Sequence, residues 1–201
     1  MKNIAVFASG RGTNFSAIAR AVRKGIINAN LALLVCDRPG APVIAKARRA
    51  RVKVVLVKRK DFSSPAEFDS ELIGHLEENK IDLIVLAGFM LLLSREFVEK
   101  YKGRIINIHP ALLPSFKGAH GIKEAFDYGA KLSGVTVHFV DEKIDHGPII
   151  LQQQVRVEEG DTPESFEARV HKVEHKLYPQ AIGLFLEGKL KVEGRKVKIT
   201  L

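Results

Sequence analysis

Two polar side chains interrupt an apolar run at Ile105-Ile106-Asn107-Ile108-His109-Pro110. In an extended chain, residues two apart share a face and lie roughly 6.6 Å apart. Asn107 and His109 therefore look one way while Ile106 and Ile108 look the other. Burying an amide and an imidazole costs free energy unless each finds a partner. An amide that can donate to an oxyanion, beside an imidazole that can move protons, suits chemistry at a carbonyl. The plainer alternative is an Asn and a His that hydrogen-bond backbone at a strand end. These six residues alone do not choose between the two.

Other candidates lie on either side. Ser9-Gly10-Arg11-Gly12-Thr13-Asn14 follows one apolar run and opens a helical one. Glycines allow a tight turn, and the N–H groups of a helix N-terminus bind anions, typically phosphate. Asp37, just past the next apolar run, invites a dinucleotide reading. The G-x-G-x-x-G fingerprint needs a third glycine, however, and that position is Phe15. A phosphate on a smaller molecule is the favoured reading, ahead of a dinucleotide or a simple turn.

His171-Lys172-Val173-Glu174-His175 matches the H-x-x-E-H of inverted-motif zinc peptidases. Two histidines at i, i+4 share a helix face, but such a site needs a third, distant ligand. Only Glu187 and Glu193 remain as downstream carboxylates, so no metal is expected and a polar helix face near a ligand is. Asp145-His146-Gly147-Pro148 reads as a turn that carries a carboxylate. Thr136 and His138 share a strand face, where a hydrogen-bonded structural role is the default. Ala87 to Leu93 is too apolar to be idle surface and suits core or one wall of a pocket for a flat heterocycle.

These residues need a scaffold. Ile4 to Ala8, Leu31 to Cys36, Val52 to Val57, Ile81 to Ala87 and Arg104 to His109 read as strands. Helices are expected over Thr13 to Arg23, Pro42 to Ala50, Pro65 to Asn79 and Ser94 to Tyr101. The third starts sharply at Ser64-Pro65-Ala66-Glu67, with an N-cap serine, proline at N1 and an acid in the first turn. The alternation predicts an α/β fold: a Rossmann-like, doubly wound, mostly parallel sheet with helices on both faces. In such sheets ligands gather at the carboxyl ends of the strands, where Gly10 to Asn14, Phe89 to Leu93 and Asn107 to His109 would meet.

Beyond His109, prolines and glycines mark an irregular segment ahead of a short helix, Ile122 to Tyr128. Two strands follow, Gly134 to Val140 and Pro148 to Gln152, for which an antiparallel pairing is open. A long helix runs from Thr162 to about Glu187, and Leu190 to Leu201 alternates like an edge strand. No linker or repeat appears, so one domain is expected over 1–201, with an N-terminal phosphate-binding part to 109 and a catalytic part from 110.

Composition narrows the function classes. With 46% hydrophobic and 27% charged residues, the chain reads as an ordinary soluble protein, and no apolar run reaches the ~18 residues of a membrane span. Met1 leads straight into a strand with no leader. The single Cys36 excludes an internal disulfide and fits a reducing cytoplasm. Closing an apolar run, it is expected to be a buried, inert thiol. The net charge of +9 is spread over scattered lysines and arginines without a nucleic-acid-binding pattern. No nucleic-acid partner and no membrane are expected, although positive potential would draw small polyanions.

Four segments together resemble the folate-dependent formyltransferase family: Ala8-Ser9-Gly10-x-Gly12-x-Asn14, Leu86-Ala87-Gly88-Phe89-Met90, Ile106-Asn107-Ile108-His109-Pro110-x-Leu112-Leu113-Pro114 and Asp145-x-Gly147-Pro148. The resemblance runs in order over essentially the whole chain. It implies transfer of a formyl group from 10-formyltetrahydrofolate, as co-substrate and without a metal, to the amine of glycinamide ribonucleotide in de novo purine biosynthesis. Asn107, His109 and Asp145 match the catalytic trio. Gly12, Thr13 and Asn14 match the loop that holds the ribonucleotide phosphate, and His171, Lys172, Val173 and Glu174 a helix segment near that substrate. Met90, Leu91, Leu92 and Leu93 match one folate loop; Asp141, Glu142, Lys143, Ile144 and Asp145 match the other, with Asn107 also on the folate. Pro65 and Leu91 stand where the family often carries basic residues.

The implied chemistry has Asn107 and a protonated His109 stabilising the charge on the formyl oxygen. Asp145 would raise the imidazolium fraction of His109 and relay a proton through water. A cytoplasmic location is expected from the single cysteine, and the oligomeric state, monomer or homodimer, stays open. A deformylase would use the same trio with water as nucleophile, but that group carries an N-terminal regulatory domain for which Met1 leaves no room. A tRNA formyltransferase would need a C-terminal RNA-binding domain. A non-catalytic nucleotide-binding module would explain the glycine loop and leave the trio unexplained.

Overall fold

A computed structural model describes residues 1–200, and its contacts divide the chain into two compact units, Met1–Ile106 and Asn107–Leu201. The boundary lies inside strand β5 (Ile105–His109), three residues before the division expected at 109.

In the first unit β1 (Lys2–Phe7), β2 (Ala29–Cys36), β3 (Lys53–Leu56) and β4 (Ile81–Leu86) alternate with α1 (Thr13–Arg23), α2 (Pro42–Arg49), α3 (Pro65–Glu78) and α4 (Arg95–Lys100). The strands are parallel in the order β3-β2-β1-β4, the Rossmann-like arrangement the alternation predicts. Ile4 through Ala8 are all fully buried, as are Leu83, Ile84 and Val85. Strands buried on both faces lose the period-two pattern and read as unbroken apolar runs. Helix α3 begins where its cap residues place it: Ser64 Oγ accepts from the Glu67 N–H at 3.2 Å, and Glu67 Oε2 accepts from the Ser63 N–H at 2.8 Å. Cys36 is buried, and that burial pushes its thiol pKa up, so the thiolate is disfavoured.

The second unit holds the end of β5, α5 (Gly121–Asp127), β6 (Leu132–Phe139), β7 (Ile149–Arg156), α6 (Pro163–Leu186), β8 (Leu190–Glu193) and β9 (Lys196–Ile199). Strands β6 and β7 are antiparallel, and β6 is buried along nearly its whole length. The tail departs from the single edge strand expected over Leu190 to Leu201. It folds back as an antiparallel hairpin whose two-residue turn, Gly194-Arg195, is made possible by Gly194 at φ 59°. Leu201 lies outside the described residues.

Candidate active site

Strand β5 delivers Asn107 and His109 to one face, as their spacing predicts, and the β6–β7 loop delivers Asp145. His109 Nδ1 lies 3.3 Å from Asp145 Oδ2, and Asn107 Nδ2 donates to Asp145 Oδ1 at 3.4 Å. Asp145 adopts φ 46°, a left-handed conformation that Asp tolerates better than most residues. Gly147 tightens the same loop, since a Cβ there would sit 1.9 Å from the Phe139 carbonyl oxygen. The expected trio is therefore one connected group.

The network holds more than those three. On β6, His138 Nδ1 donates to the Phe139 carbonyl at 2.7 Å, which leaves Nε2 to accept from Asn107 Nδ2 at 3.2 Å in the neutral ring. When protonated, Nε2 faces Asp145 Oδ1 at 3.6 Å instead. His138 is 2% exposed, so this pairing, and not solvent, sets which way the Asn107 amide points. His138 is hydrogen-bonded, as expected of it, and one of its partners is the candidate site residue Asn107. Thr136, two residues earlier, does keep a bracing role: it donates to the Ala111 carbonyl at 2.7 Å and accepts from the Leu113 N–H at 3.1 Å.

Backbone groups from the irregular segment complete the site. The Gly118 N–H donates to Asp145 Oδ2 at 2.8 Å, and the Phe116 carbonyl accepts from His109 Nε2 at 2.7 Å. Phe116 adopts φ 50°, unusual for a bulky residue, to present that carbonyl. Gly121 leaves room for it: a Cβ there would lie 2.9 Å from the same oxygen and 3.3 Å from His109 Nε2. No side-chain pattern in the sequence signals such backbone partners.

Charge in this site follows burial. Burial pushes the His109 pKa down, and Asp145 and the Phe116 carbonyl only partly offset it. Asp145 does favour the imidazolium, as expected, but burial outweighs it and the net shift of His109 is downward. At 2.7 Å the Phe116 contact requires a proton on Nε2, while the Nδ1 contact is long for a charge-assisted hydrogen bond. These distances assign neutral His109 its proton on Nε2. Burial would also raise Asp145, but the His138 ring, the Gly118 N–H and the His109 ring outweigh it, and the carboxyl stays below its ordinary value.

The remaining candidates fall in both units. In the first, Gly12 caps α1 at φ 67°, and a Cβ there would lie 2.5 Å from Val43 Cγ2. The Val43 N–H donates to the Gly10 carbonyl at 3.2 Å, so α2 clips the glycine loop in place. Phe15, where a dinucleotide fingerprint would have its third glycine, is 1% exposed in the core. Ser9 ties the glycine loop to the 90–93 loop: its N–H donates to the Gly88 carbonyl at 3.0 Å, and its Oγ accepts from the Met90 N–H at 2.9 Å. Met90 and Leu92 are exposed apolar side chains.

In the second unit, His171 stands between two carboxylates on α6, with Nδ1 2.7 Å from Glu174 Oε2 and Nε2 3.0 Å from Glu167 Oε1. The Glu174 hydrogen bond leads these contacts in raising its pKa against a smaller effect of burial. His175 stacks its ring on His171 at 6.3 Å. Among the described residues, no group of three or more His, Cys, Asp or Glu is placed to hold a metal, and no helix is long and apolar enough to cross a membrane.

The profile of the formyl transferase family matches residues 2–182. The phosphoribosylglycinamide formyltransferase of Bacillus subtilis is 44% identical over 182 residues, covering 90% of this chain and 93% of that protein. The crystal structure of glycinamide ribonucleotide transformylase 1 from Symbiobacterium toebii superposes with a TM-score of 0.97 at 42% identity, over 100% of this chain and 95% of that one. A formyltetrahydrofolate deformylase from Pseudomonas syringae is more distant, with a TM-score of 0.91 at 25% identity over 100% of this chain and 66% of that one. The chain belongs to the formyl transferase family.

Proposed function

We propose that this chain transfers the formyl group of 10-formyltetrahydrofolate to the amine of glycinamide ribonucleotide, a step of de novo purine synthesis. The observation that carries this reading is the junction of the Asn107 amide, the His109 imidazole and the Asp145 carboxylate in one buried network. The neutral amine attacks the formyl carbon, and negative charge grows on the formyl oxygen. Asn107 Nδ2, exchanging its 3.4 Å contact with Asp145 Oδ1 for the oxyanion, and His109 Nε2–H donate to that oxygen. The hydrogen bond that the Phe116 carbonyl accepts from His109 is the one a developing oxyanion would take over. Asp145 accepts the proton lost by the attacking amine through an intervening water and returns it by the same route to the folate nitrogen, which leaves as the tetrahedral intermediate collapses.

The other roles follow from the chemistry of each group. The first-turn N–H groups of α1, at Gly12, Thr13 and Asn14, hold the phosphate. His171 and Glu174, with Lys172 and Val173, flank the ribonucleotide. The apolar side chains of residues 90–93 suit the flat ring of the folate, and residues 141–145 form its second loop. The two units work as one domain, in the cytoplasm, as a monomer or homodimer.

The competing reading is hydrolysis by the same three side chains with water as nucleophile. Purified protein given formylfolate with and without the ribonucleotide separates the two, with formylated amine and formate followed by mass spectrometry. Release of formyl without the ribonucleotide should be at least ~100-fold slower, because water lacks the orientation that binding gives the amine. Comparable rates would transfer the assignment to the deformylase.

A further inference from the structure

The β8–β9 hairpin lies beyond the residues matched by the family profile, which end at 182, yet it reaches the loop that carries Asp145. Ile149, at the start of β7, is bridged to Lys196 of β9, which brings the hairpin turn to the β6–β7 loop. From that turn Arg195 places Nη2 2.6 Å from the carbonyl oxygen of His146. Its Nη1 lies 3.1 Å from Nε2 and 3.3 Å from Nδ1 of the same imidazole.

Nδ1 of His146 already donates to Asp141 Oδ2 at 2.7 Å, and Nη1 of Arg195, nearly equidistant from the two ring nitrogens, lies over the face of that imidazole. Asp141 Oδ1 accepts from the Lys143 N–H at 3.0 Å. Asp141 and His146 are thus latched to each other across Asp145, and one guanidinium fastens that latch to the hairpin. The loop needs fastening because Asp145 sits in a left-handed conformation that the chain does not hold by default.

We propose that Arg195 is a positioning residue for the Asp145 carboxylate, acting through His146 and the 141–147 loop. The inference rests on the formyl-transfer reading above. A guanidinium suits the task because its planar group can lie on an imidazole face and still donate to a carbonyl, whereas an ammonium is a single point of charge.

The test uses the whole chain with Arg195→Ala and Arg195→Lys. Arg195 is exposed, and circular dichroism checks that both variants fold. Arg195→Ala should lower kcat about tenfold while KM for the ribonucleotide moves less than about twofold, with Arg195→Lys recovering part of the loss. Backbone amide exchange across residues 141–147 should quicken in Arg195→Ala and stay unchanged in α6 and in the first unit. That second measurement needs no substrate, so it decides the inference even if the wild-type chain does not formylate the ribonucleotide. Unchanged exchange overturns the inference whatever happens to kcat. A rise in KM for both substrates at constant kcat also overturns it, because the hairpin would then serve binding and not the carboxylate.

Discussion

His109 and His171 both stand against carboxylates, yet they shift in opposite directions. His109 has one carboxylate at 3.3 Å and a side chain only 3% exposed, and its pKa falls. His171 has carboxylates at 2.7 and 3.0 Å and a side chain 24% exposed, and its pKa rises. Desolvation penalises the imidazolium, and a single long contact does not offset it, whereas two short contacts on a partly hydrated ring do. An acidic neighbour therefore does not by itself make a charged histidine. The neutral ring of His109 suits a group that must donate from Nε2. The raised pKa of His171 suits a group that presents polarity on a helix face.

The strongest way to break this contrast is at Asp145. Asp145→Asn should lower kcat at least ~100-fold, about 2.7 kcal/mol in the barrier, while calorimetry shows substrate affinity changed far less. An amide keeps the shape of the turn but removes the anion, so near-wild-type kcat would reduce Asp145 to a turn residue. Next comes His138→Ala, which takes the acceptor from the Asn107 amide. It should lower kcat by about tenfold with little effect on KM, in line with loss of orientation in an oxyanion donor. Steady-state kinetics with fold checked by circular dichroism reads this out, and an unchanged kcat would return His138 to a packing role.

The glycine loop sharpens the contrast from the other side, because its chemistry belongs to backbone and not to side chains. Gly12→Ala meets Val43 Cγ2 at 2.5 Å and Cβ at 2.6 Å at a positive φ, so it should lower the melting temperature, and adding Val43→Ala, which keeps that Cβ, should restore little of the loss. In Gly12→Ala, with fold checked by circular dichroism, KM for the ribonucleotide should rise at least ~5-fold more than KM for formylfolate, since strain at the start of α1 displaces the N–H groups that hold the phosphate. Equal changes in both KM values would remove the loop from phosphate binding.

How much of this was legible follows the range of the contacts. Helix α1 could be read residue for residue from Thr13 to Arg23, and α3 from its Ser64-Pro65-Ala66-Glu67 cap, because those signals are local. The pairing of Asn107 with His109 was legible from spacing on one strand. His138 was not, because its partner Asn107 lies 31 residues away in sequence and nothing in β6 announces which strand lies beside it. The Phe116 carbonyl and the Gly118 N–H are backbone groups that leave no residue-type signature. The hairpin was hidden because both of its halves alternate like one strand, with Gly194 the sole sign of the turn. The direction of the His109 shift depends on burial, which the residues around it in sequence do not specify.

The smallest expected effect is on stability at His171. Its pKa is raised by folding, so its contribution is fully present below the unfolded value near 6.5 and is lost as pH rises through the higher folded value. The melting-temperature gap between wild type and His171→Ala should therefore be widest near pH ~5.5 and narrow toward pH ~9. A gap that widens with rising pH would reverse the assignment.

The mechanism depends most directly on the charge of His109 at working pH, and nuclear magnetic resonance titration of the histidine rings measures it. His109 should titrate below the ordinary value of 6.5 and His171 above it. In Asp145→Asn, His109 should move further down while His171 stays where it was. A His109 that titrates above 6.5, or that does not respond to loss of the carboxylate, would contradict the neutral donor on which the proposed transfer stands.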